Sequence, residues 1–249
     1  MSATLNVTLL SHTPEPERAV AAAGRLCYSS STAAQLKEEM SEDEVSRLIR
    51  LLIQSGHLSA LEHASFTFGV DGISRACSHQ LVRHRLASYS QQSQRYVHFS
   101  DADGFIIPPA IEEDPAAREV FLDAVRRATE AYDRLVELGR ERGLEKEKIQ
   151  EDARFVLPNA AETRIVVTMN ARELRHFFRI RCCRRAQWEI NRLAWRMRAL
   201  AVREASHLFW KSGPSCLYGK CQEGKMTCGE EYTLEEVAEM EEWMESIEW

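Results

Sequence analysis

The sequence lacks the features of secreted and membrane-spanning proteins. None of its apolar runs approaches the roughly 18 residues of a membrane helix. Its N-terminal stretch has neither the basic residues nor the long apolar segment of a secretory signal peptide. The chain has seven cysteines, an odd number, and no secretion signal, so reduced thiols are favoured over a disulfide framework. We therefore expect a cytoplasmic protein with no membrane association.

The sequence also lacks the motifs of several common enzyme classes. Without G-x-G-x-x-G, neither a flavin nor a nicotinamide cofactor would bind at a Rossmann turn. H-E-x-x-H, G-x-S-x-G and C-x-x-C are absent as well, and no cysteine nucleophile with a positioned base is visible. Residues 219–225 resemble a phosphate-binding loop, but Met226 stands where that loop requires serine or threonine.

Charge is distributed unevenly along the chain. The net charge is −6, but residues 230–248 carry nine glutamates and no basic residue. The rest of the chain has 29 acidic and 32 basic residues, and eleven arginines fall between Arg164 and Arg203. This arginine content suits anionic small ligands, and an arginine-rich nucleic-acid-binding protein is the competing interpretation. The acidic end argues against nucleic acid because it would repel phosphates.

Three cysteines near the end of the chain are the candidate metal ligands. Cys216, Cys221 and Cys228 lie among several glycines, and three thiolates with one further ligand could hold zinc. Packed or exposed thiols in a glycine-rich loop are the favoured interpretation. We therefore expect no metal ion in this protein.

The most informative segment is residues 83–95. It contains three arginines, one histidine, three serines and three glutamines. Arg83 and Arg85 are two positions apart, so in an extended chain both would point to one side and His84 to the other. Planar guanidinium groups suit bidentate contact with phosphate, and hydroxyls and carboxamides suit a heterocycle. This composition indicates a pocket for anionic, ring-containing ligands, although a solvated polar loop would share it.

The spacing RHR-x2-S-x4-S-x-R over residues 83–95 resembles the signature of the flavin-dependent thymidylate synthases. Other blocks that resemble this family follow in the same order between residues 18 and 210. They are residues 22–29, 55–57, 61–68, 154–158 and 167–172, then Arg181, then residues 186–190. One position departs from the family pattern. Arg185 stands where many relatives have a histidine, which weakens any claim for a histidine base there.

The resemblance implies an enzyme that methylates dUMP reductively to dTMP, for thymidylate biosynthesis. The carbon would come from methylenetetrahydrofolate, and the electrons from NADPH through FAD. In this family the FAD sites form between subunits of a homotetramer. We therefore expect a homotetramer that binds these small molecules and no nucleic acid.

The resemblance also implies which residues bind the two main ligands. Those expected at dUMP are Gln80, Gln91, Ser93, Arg95, Arg154 and Arg181. Those expected at FAD are Arg83, His84, Arg85, Asn170, Arg172 and His176.

Two residues are candidates for catalysis. Arg181 matches the family's arginine at the nucleotide ring, where a fixed cation would stabilise negative charge on the uracil carbonyl oxygens. His57 matches a histidine near flavin and folate, although it could equally cap the preceding helix. Ser93 has no visible adjacent general base and is assigned to binding. His63 is expected to pack beneath the strand that follows it.

Hydrophobic periodicity predicts an α+β fold, which we expect to be a single mixed domain with a small, mainly antiparallel sheet and several long helices. Strands are expected near residues 5–9, 66–70 and 163–169, the second ending at Asp71-Gly72. The longest helix begins at Asp114-Pro115, and its expected buried residues are Val120, Ala124, Ala128, Ala131, Leu135 and Leu138.

The expected domain organisation separates a catalytic domain from an acidic C-terminal helix. Residues 1–229 would form the catalytic domain, and residues 230–249 would pack on it. The apolar stripe of this helix, which we expect to contact the body of the protein or a neighbouring subunit, comprises Val237, Met240, Trp243, Met244 and Ile247.

Overall fold

The computed structural model describes residues 4–99 and 104–246, with side chains as far as residue 240. The chain divides into two compact units, and both are discontinuous in sequence. Unit 1 comprises Met1–Asn6, Val70–Val82 and Ser90–Ile165; unit 2 comprises Val7–Gly69, Arg83–Tyr89 and Val166–Trp249. The sequence patterns give no sign of this interleaving, and the expected domain boundary after residue 229 stays a prediction.

Four strands form one small sheet. They are β1 (Asn6–His12), β2 (Ser65–Ser74), β3 (Ala87–Gln91) and β4 (Glu162–Asn170), in the order β1-β2-β4-β3. The Thr67 and Thr168 hydroxyls lie 2.9 Å apart near one end of the β2–β4 pair. At the other end the Gly72 amide donates to Glu162 at 3.3 Å, so these strands run antiparallel. The expected α+β class with a small antiparallel sheet is confirmed.

Two features of the sheet differ from the sequence-based expectation. β3 lies inside the polar segment 83–95, which lacks the β-branched residues that usually mark a strand. β2 does not end at Asp71-Gly72 but continues to Ser74. Gly72 has a φ of +68°, and a Cβ atom there would lie 1.9 Å from the Thr4 carbonyl oxygen. This position therefore requires glycine, which lets the strand continue past an apparent turn signal.

Ten α-helices occur in the described ranges, and none of them is both long and apolar enough to cross a membrane. They are α1 (Pro16–Leu26), α2 (Ala33–Glu39), α3 (Glu42–Gln54), α4 (Arg75–Leu81), α5 (Pro109–Glu112), α6 (Pro115–Glu141), α7 (Lys146–Ala153), α8 (Ala171–Arg181), α9 (Trp188–Glu204) and α10 (Leu234–Ser246). The short helices α2 and α5 were not expected from the sequence.

Side-chain caps explain where several helices begin. The Ser41 hydroxyl accepts from the Glu44 amide at 3.3 Å, and the Glu44 carboxylate accepts from the Ser41 amide at 2.9 Å. This capping box before α3 confirms the sequence-based prediction. Thr32 and Gln35 form the same arrangement before α2, which was not predicted from the sequence. Asp114 caps α6, as its position before Pro115 predicts.

The predicted buried face of α6 is wrong. Val120 is 71% exposed, and Leu135 and Leu138 are also exposed. The residues that are buried on this helix are Thr129, Tyr132, Val136 and Gly139. Gly139 explains why this face of α6 is the buried one, because α7 packs so closely that a Cβ atom at this position would lie only 2.7 Å from Ile149. The close approach of α7 and the burial of Tyr132 therefore outweigh the aliphatic stripe.

Each unit has its own aromatic core. In unit 1, Tyr132 packs with Phe99 and Phe105, and its hydroxyl accepts a hydrogen bond from the Phe99 amide at 3.2 Å. In unit 2, the Phe209 ring packs edge-on against Phe66 of β2 and Phe178 of α8, with ring centroids 5.3 and 5.8 Å away. These contacts fix α8 against the strand, and α8 carries much of the candidate site.

The C-terminal region begins with a capped helix. Thr233 and Glu236 form a capping box at the start of α10, as predicted. Tyr232 packs edge-on against Trp195 of α9, and Arg184 pairs with Glu236 at 2.6 Å. Within the expected apolar stripe, Val237 is buried and Met240 is half-buried. The side chains of Trp243, Met244 and Ile247 lie outside the described residues.

Candidate active site

The segment Arg83–Arg85 joins α4 to β3 and alternates in exposure. Arg83 and Arg85 are exposed, whereas His84 is only 6% exposed. This is the arrangement that the two-residue spacing predicts for an extended chain. The Tyr89 hydroxyl donates to the His84 carbonyl oxygen at 2.8 Å and so helps to hold the segment in place.

A buried chain of hydrogen bonds connects this segment to α8 within unit 2. His84 Nδ1 lies 3.2 Å from Glu173 Oε1, and Arg181 Nε donates to His84 Nε2 at 3.1 Å. Because a guanidinium group can only donate, His84 Nε2 must accept, and the ring proton then resides on Nδ1 facing Glu173. The partners thus select one neutral tautomer of His84 and fix the orientation of the Arg181 side chain.

The electrostatics of the chain agree with a neutral His84. Burial lowers the pKa of His84, and the positive charge of Arg181 lowers it further, against the opposing effect of Glu173. Burial, with the Glu173 charge as a smaller contribution, raises the pKa of the Tyr89 hydroxyl. Both groups therefore stay uncharged near neutral pH and act as fixed hydrogen-bonding partners.

The N-terminus of α8 positions Glu173 in this chain. Asn170 Oδ1 accepts from the Glu173 amide at 2.9 Å, which is a typical N-cap. The Ala171 amide donates to the Ala64 carbonyl oxygen at 2.8 Å and ties the turn to the start of β2. The Phe177 ring packs edge-on against His84 with a centroid distance of 4.9 Å. Local capping and aromatic packing thus set the register of the polar groups.

One cavity of about 520 Å³ lies beside this chain, and we call it the α8 cavity. Its lining includes Arg172, His176, Arg179 and Lys211, which give it a cationic character. Ser212 also lines it and is only 2% exposed. The Ser212 hydroxyl has no hydrogen-bond partner among the described residues, which is costly for a buried polar group. A ligand with anionic atoms would pair with these cations, and a polar atom of the ligand would give the Ser212 hydroxyl a partner.

A second cavity of unit 2, about 470 Å³ in volume, contains His57, and we call it the His57 cavity. Arg172 lines both cavities and forms an ion pair with Glu62. His63 also lines the His57 cavity and is exposed, so its expected packing beneath the strand is wrong. His57 precedes the 3-10 turn Leu58–His63 and His63 is its last residue, and both are exposed to solvent.

Unit 1 contains a separate set of polar groups. Gln91 Nε2 donates to Ser78 Oγ at 2.9 Å and to Thr163 Oγ1 at 3.1 Å. Arg95 is 44% exposed and pairs with Glu151 at 2.9 Å. The Ser93 hydroxyl accepts from the backbone amide of Arg95 at 3.2 Å, which places its side chain at the turn that presents that arginine.

Two arginines of unit 1 lie close to each other. Burial lowers the pKa of Arg75, and the charge of Arg154 lowers it further. Arg154 Nε donates to the Glu151 carbonyl oxygen at 3.2 Å, while Arg75 Nη1 lies 3.4 Å from Thr163 Oγ1. A bound anion would relieve the repulsion between these two guanidinium groups.

The structure distributes the expected site residues between the two units. All six residues expected at FAD belong to unit 2, as does His57. Five of the six expected at dUMP belong to unit 1, including the half-buried Gln80 on α4; the sixth, Arg181, belongs to unit 2. Glu173, Arg75 and Ser212 were not predicted from the sequence. Glu173 lies one residue after Arg172 of the family block, but nothing local reveals that it pairs with His84.

His84, Glu173 and His176 are also the group of described residues whose potential metal-ligating atoms lie within 4.8 Å of one another. Arg181 already donates to His84 Nε2, and its positive charge would repel a metal ion. The cluster is therefore better explained as a hydrogen-bonded chain than as a metal site.

Comparisons with known proteins identify the family. The profile of the family described as thymidylate synthase complementing protein matches residues 8–205. A flavin-dependent thymidylate synthase from Geobacter sulfurreducens is 54% identical over 227 residues, which cover 90% of this chain and 94% of the relative. The chain belongs to the flavin-dependent thymidylate synthase family. The family assignment made from the 83–95 signature is thereby confirmed.

Other flavin-dependent thymidylate synthases and one solved structure extend the likeness. The relative from Clostridium tetani is 46% identical over 241 residues, covering 94% of this chain and 96% of its own. The crystal structure of a UMP/dUMP methylase, PolB, from Streptomyces cacaoi bound with 5-Br dUMP matches with a TM-score of 0.69 and 25% identity. That match covers 85% of this chain and 97% of the other.

Proposed function

We propose that this chain converts dUMP to dTMP by reductive methylation, with methylenetetrahydrofolate as carbon donor and FAD reduced by NADPH. The observation that carries the proposal is the match to flavin-dependent thymidylate synthases over nearly the whole length of both chains. The solved dUMP methylase with the same fold supports the choice of nucleotide.

FAD is assigned to unit 2, where the residues present fit its chemistry. Arg83 and Arg85 are exposed cations, Arg172 and His176 line the α8 cavity, and the buried Ser212 hydroxyl needs a partner. When bound, FAD supplies the hydride that reduces the transferred carbon to a methyl group. Asn170 and His84 are assigned to the flavin site as positioning residues, since Asn170 caps α8 and both ring nitrogens of His84 have partners.

The phosphate of dUMP is assigned to the arginines of unit 1. Arg95 and Arg154 are the expected phosphate and nucleotide contacts, with the Ser93 hydroxyl beside Arg95. Arg75 is added to these residues because Arg154 repels its guanidinium group, and a phosphate would relieve that repulsion. The exposed Arg95–Glu151 ion pair is weak enough for phosphate to replace the carboxylate. Gln91, oriented by its two hydroxyl partners, and Gln80 are assigned to further nucleotide contacts.

Arg181 is assigned to the uracil ring. C5 must become nucleophilic before it attacks the carbon donor, and the ring carbonyl oxygens then carry negative charge. A guanidinium group whose orientation is already set can stabilise that charge without reorganising during the reaction. The bond from Arg181 to His84, and from His84 to Glu173, provides this orientation. Glu173 is thus proposed as a positioning residue for Arg181.

His57 is assigned to the region where flavin and folate meet. It is exposed and lines its cavity together with Arg172, which is compatible with ligand contact. Arg185, at the position where relatives often have a histidine, pairs with Glu223 at 3.3 Å and offers no base. No step is therefore assigned to a base at that position.

We also propose a cytoplasmic homotetramer. Val120, Leu135 and Leu138 on α6 are exposed, and Phe155 is 82% exposed. An interface with another subunit would remove these apolar side chains from water. Light scattering tests the assembly, and an active, monodisperse monomer would contradict it.

The function is tested by incubating the purified protein with FAD, NADPH, methylenetetrahydrofolate and dUMP tritiated at C5. We expect tritium release together with dTMP formation. Tritium release without dTMP would indicate a different nucleotide enzyme with the same pocket. Neither product, in protein that carries FAD, would contradict the proposed reaction.

A further inference from the structure

Four of the seven cysteines line a single cavity of about 330 Å³ in unit 2. Cys183 comes two residues after the end of α8, whereas Cys216, Cys221 and Cys228 come from the chain between α9 and α10. All four are free thiols. The sequence alone suggests Cys216, Cys221 and Cys228 as possible metal ligands and does not identify a fourth ligand. The fold brings Cys183 to the same cavity.

The backbone of Glu230 holds the Cys228 side chain in place. The Glu230 amide lies 3.4 Å from Cys228 Sγ, and Cys228 Sγ lies 3.3 Å from the Glu230 carbonyl oxygen. The intervening residue is Gly229, whose φ of +76° makes this tight turn possible. When Cys228 is a thiolate ligand, the Glu230 amide remains as a donor that orients it.

We propose that Cys183, Cys216, Cys221 and Cys228 bind one structural zinc ion through four thiolates. A set of four soft sulfur ligands selects zinc over calcium or magnesium, and structural zinc sites are commonly of this composition. The spacing C-x4-C between Cys216 and Cys221 lies within the range that such sites use.

Four thiolates in this cavity would need a cation, because the charged residues that line it balance one another. Arg179, Arg184 and Arg185 line it, but so do Glu223, Glu230 and Glu231, and two of these arginines already have carboxylate partners. Zinc would displace four protons from the four thiols, so binding weakens as pH falls.

Binding requires a movement of the loop. Among the described residues, the group whose ligating atoms approach within 4.8 Å of one another is His84, Glu173 and His176, so the sulfur atoms lie farther apart than zinc ligands do. The loop contains two short 3-10 turns, Ser215–Leu217 and Gly224–Met226, and Arg185 and Arg184 hold it through the Glu223 carboxylate and the Glu230 carbonyl oxygen. Zinc would draw its three cysteines toward Cys183.

The ion would fasten the loop to the end of α8. Asn191 Nδ2 donates to the carbonyl oxygens of Arg181 and Cys183, at 2.8 and 3.0 Å. The zinc site and the catalytic arginine therefore share one backbone segment. This inference does not depend on the proposed reaction, because the metal is measured directly.

The test is elemental analysis of the full-length protein, expressed with both zinc and iron in the medium and dialysed extensively. We expect about one zinc ion per chain. Cys183→Ser and Cys228→Ser should each lose most of it. The matched controls are Cys182→Ala, which alters the adjacent buried thiol, and Cys27→Ser, which alters an exposed thiol; both should keep the zinc.

X-ray absorption at the zinc edge of the wild-type protein provides a second test that does not depend on variants that fold. Four sulfur neighbours at about 2.3 Å support the site. The proposal is overturned by the absence of zinc, by iron in its place, by nitrogen and oxygen neighbours, or by disulfides between these cysteines in non-reducing mass spectra. Equal zinc in the Cys228→Ser variant and its controls would also overturn it.

Discussion

Unit 1 and unit 2 hold their polar side chains in different ways. In unit 2, Glu173 and His84 have side chains only 7% and 6% exposed, and each holds its neighbour through a specific hydrogen bond. In unit 1, the Arg95 and Glu151 side chains are 44% and 35% exposed. A buried network is organised before the ligand arrives, whereas an exposed ion pair is worth little and exchanges its partner readily.

This difference separates two kinds of contribution to function. We expect changes in the buried chain of unit 2 to lower kcat, because that chain fixes a charge needed during the reaction. We expect changes in the arginines of unit 1 to weaken dUMP binding, because those groups meet the phosphate in the ground state as well.

The largest effect is expected from Arg181→Ala. Loss of the fixed cation should lower kcat about 100- to 1000-fold, by analogy with removal of one donor to a developing oxyanion. FAD should remain bound. Steady-state kinetics with Arg203→Ala, an exposed arginine of α9, as the control would measure this. A normal kcat with only a raised KM would show that Arg181 merely binds the nucleotide.

A smaller effect is expected from Arg95→Ala. Loss of a charge-assisted contact should weaken dUMP binding by about 1.5–3 kcal/mol, with FAD retained. Calorimetric titration of dUMP into the FAD-loaded protein measures the change. Glu151→Gln is the informative partner, because it removes the competing carboxylate and should tighten dUMP binding. Loss of FAD with unchanged dUMP affinity would reverse the assignment of Arg95.

Glu173 provides the next test. Glu173→Ala leaves the buried Nδ1 proton of His84 without an acceptor, which should cost about 1–3 kcal/mol of stability and lower kcat about tenfold. Glu173→Gln keeps an acceptor oxygen and should recover much of the activity. Thermal melts and the split between kcat and KM distinguish the two roles. If both variants have the kcat of the wild type after correction for the folded fraction, Glu173 has only a structural role.

The smallest effect is expected in the pH dependence of stability. The pKa of folded His84 lies below its unfolded value of about 6.5, so both states are neutral above that pH. As pH falls below about 6.5, the unfolded chain binds a proton that the folded chain resists, and stability decreases. Melting temperatures between about pH 7.5 and about pH 5.5 should therefore fall less in His84→Gln than in the wild type. An equal fall would contradict this interpretation.

Local signals predicted much of the fold and of the candidate site. The capping boxes at Ser41 and Thr233, the proline after Asp114 and the alternation of Arg83 and Arg85 depend on near neighbours in sequence, and all appear as expected. The signature over residues 83–95 was sufficient to name the family, because its long spacing is specific.

The features that escaped prediction depend on contacts between distant residues. His84 and Glu173 are 89 positions apart, and nothing local marks them as partners. The buried face of α6 is set by Ile149 meeting Gly139, not by the aliphatic stripe of the helix itself. Cys183 joins the other cysteines only through the fold.

The proposed reaction is tested most directly by the absorbance spectrum of the purified protein during titration with dUMP. We predict a flavin band that dUMP perturbs saturably, because the chain is proposed to bring FAD and nucleotide into one reaction. A colourless protein that cannot be reconstituted with FAD would contradict the account. A flavin band that dUMP leaves unchanged at saturating concentration would contradict the assignment of the nucleotide residues.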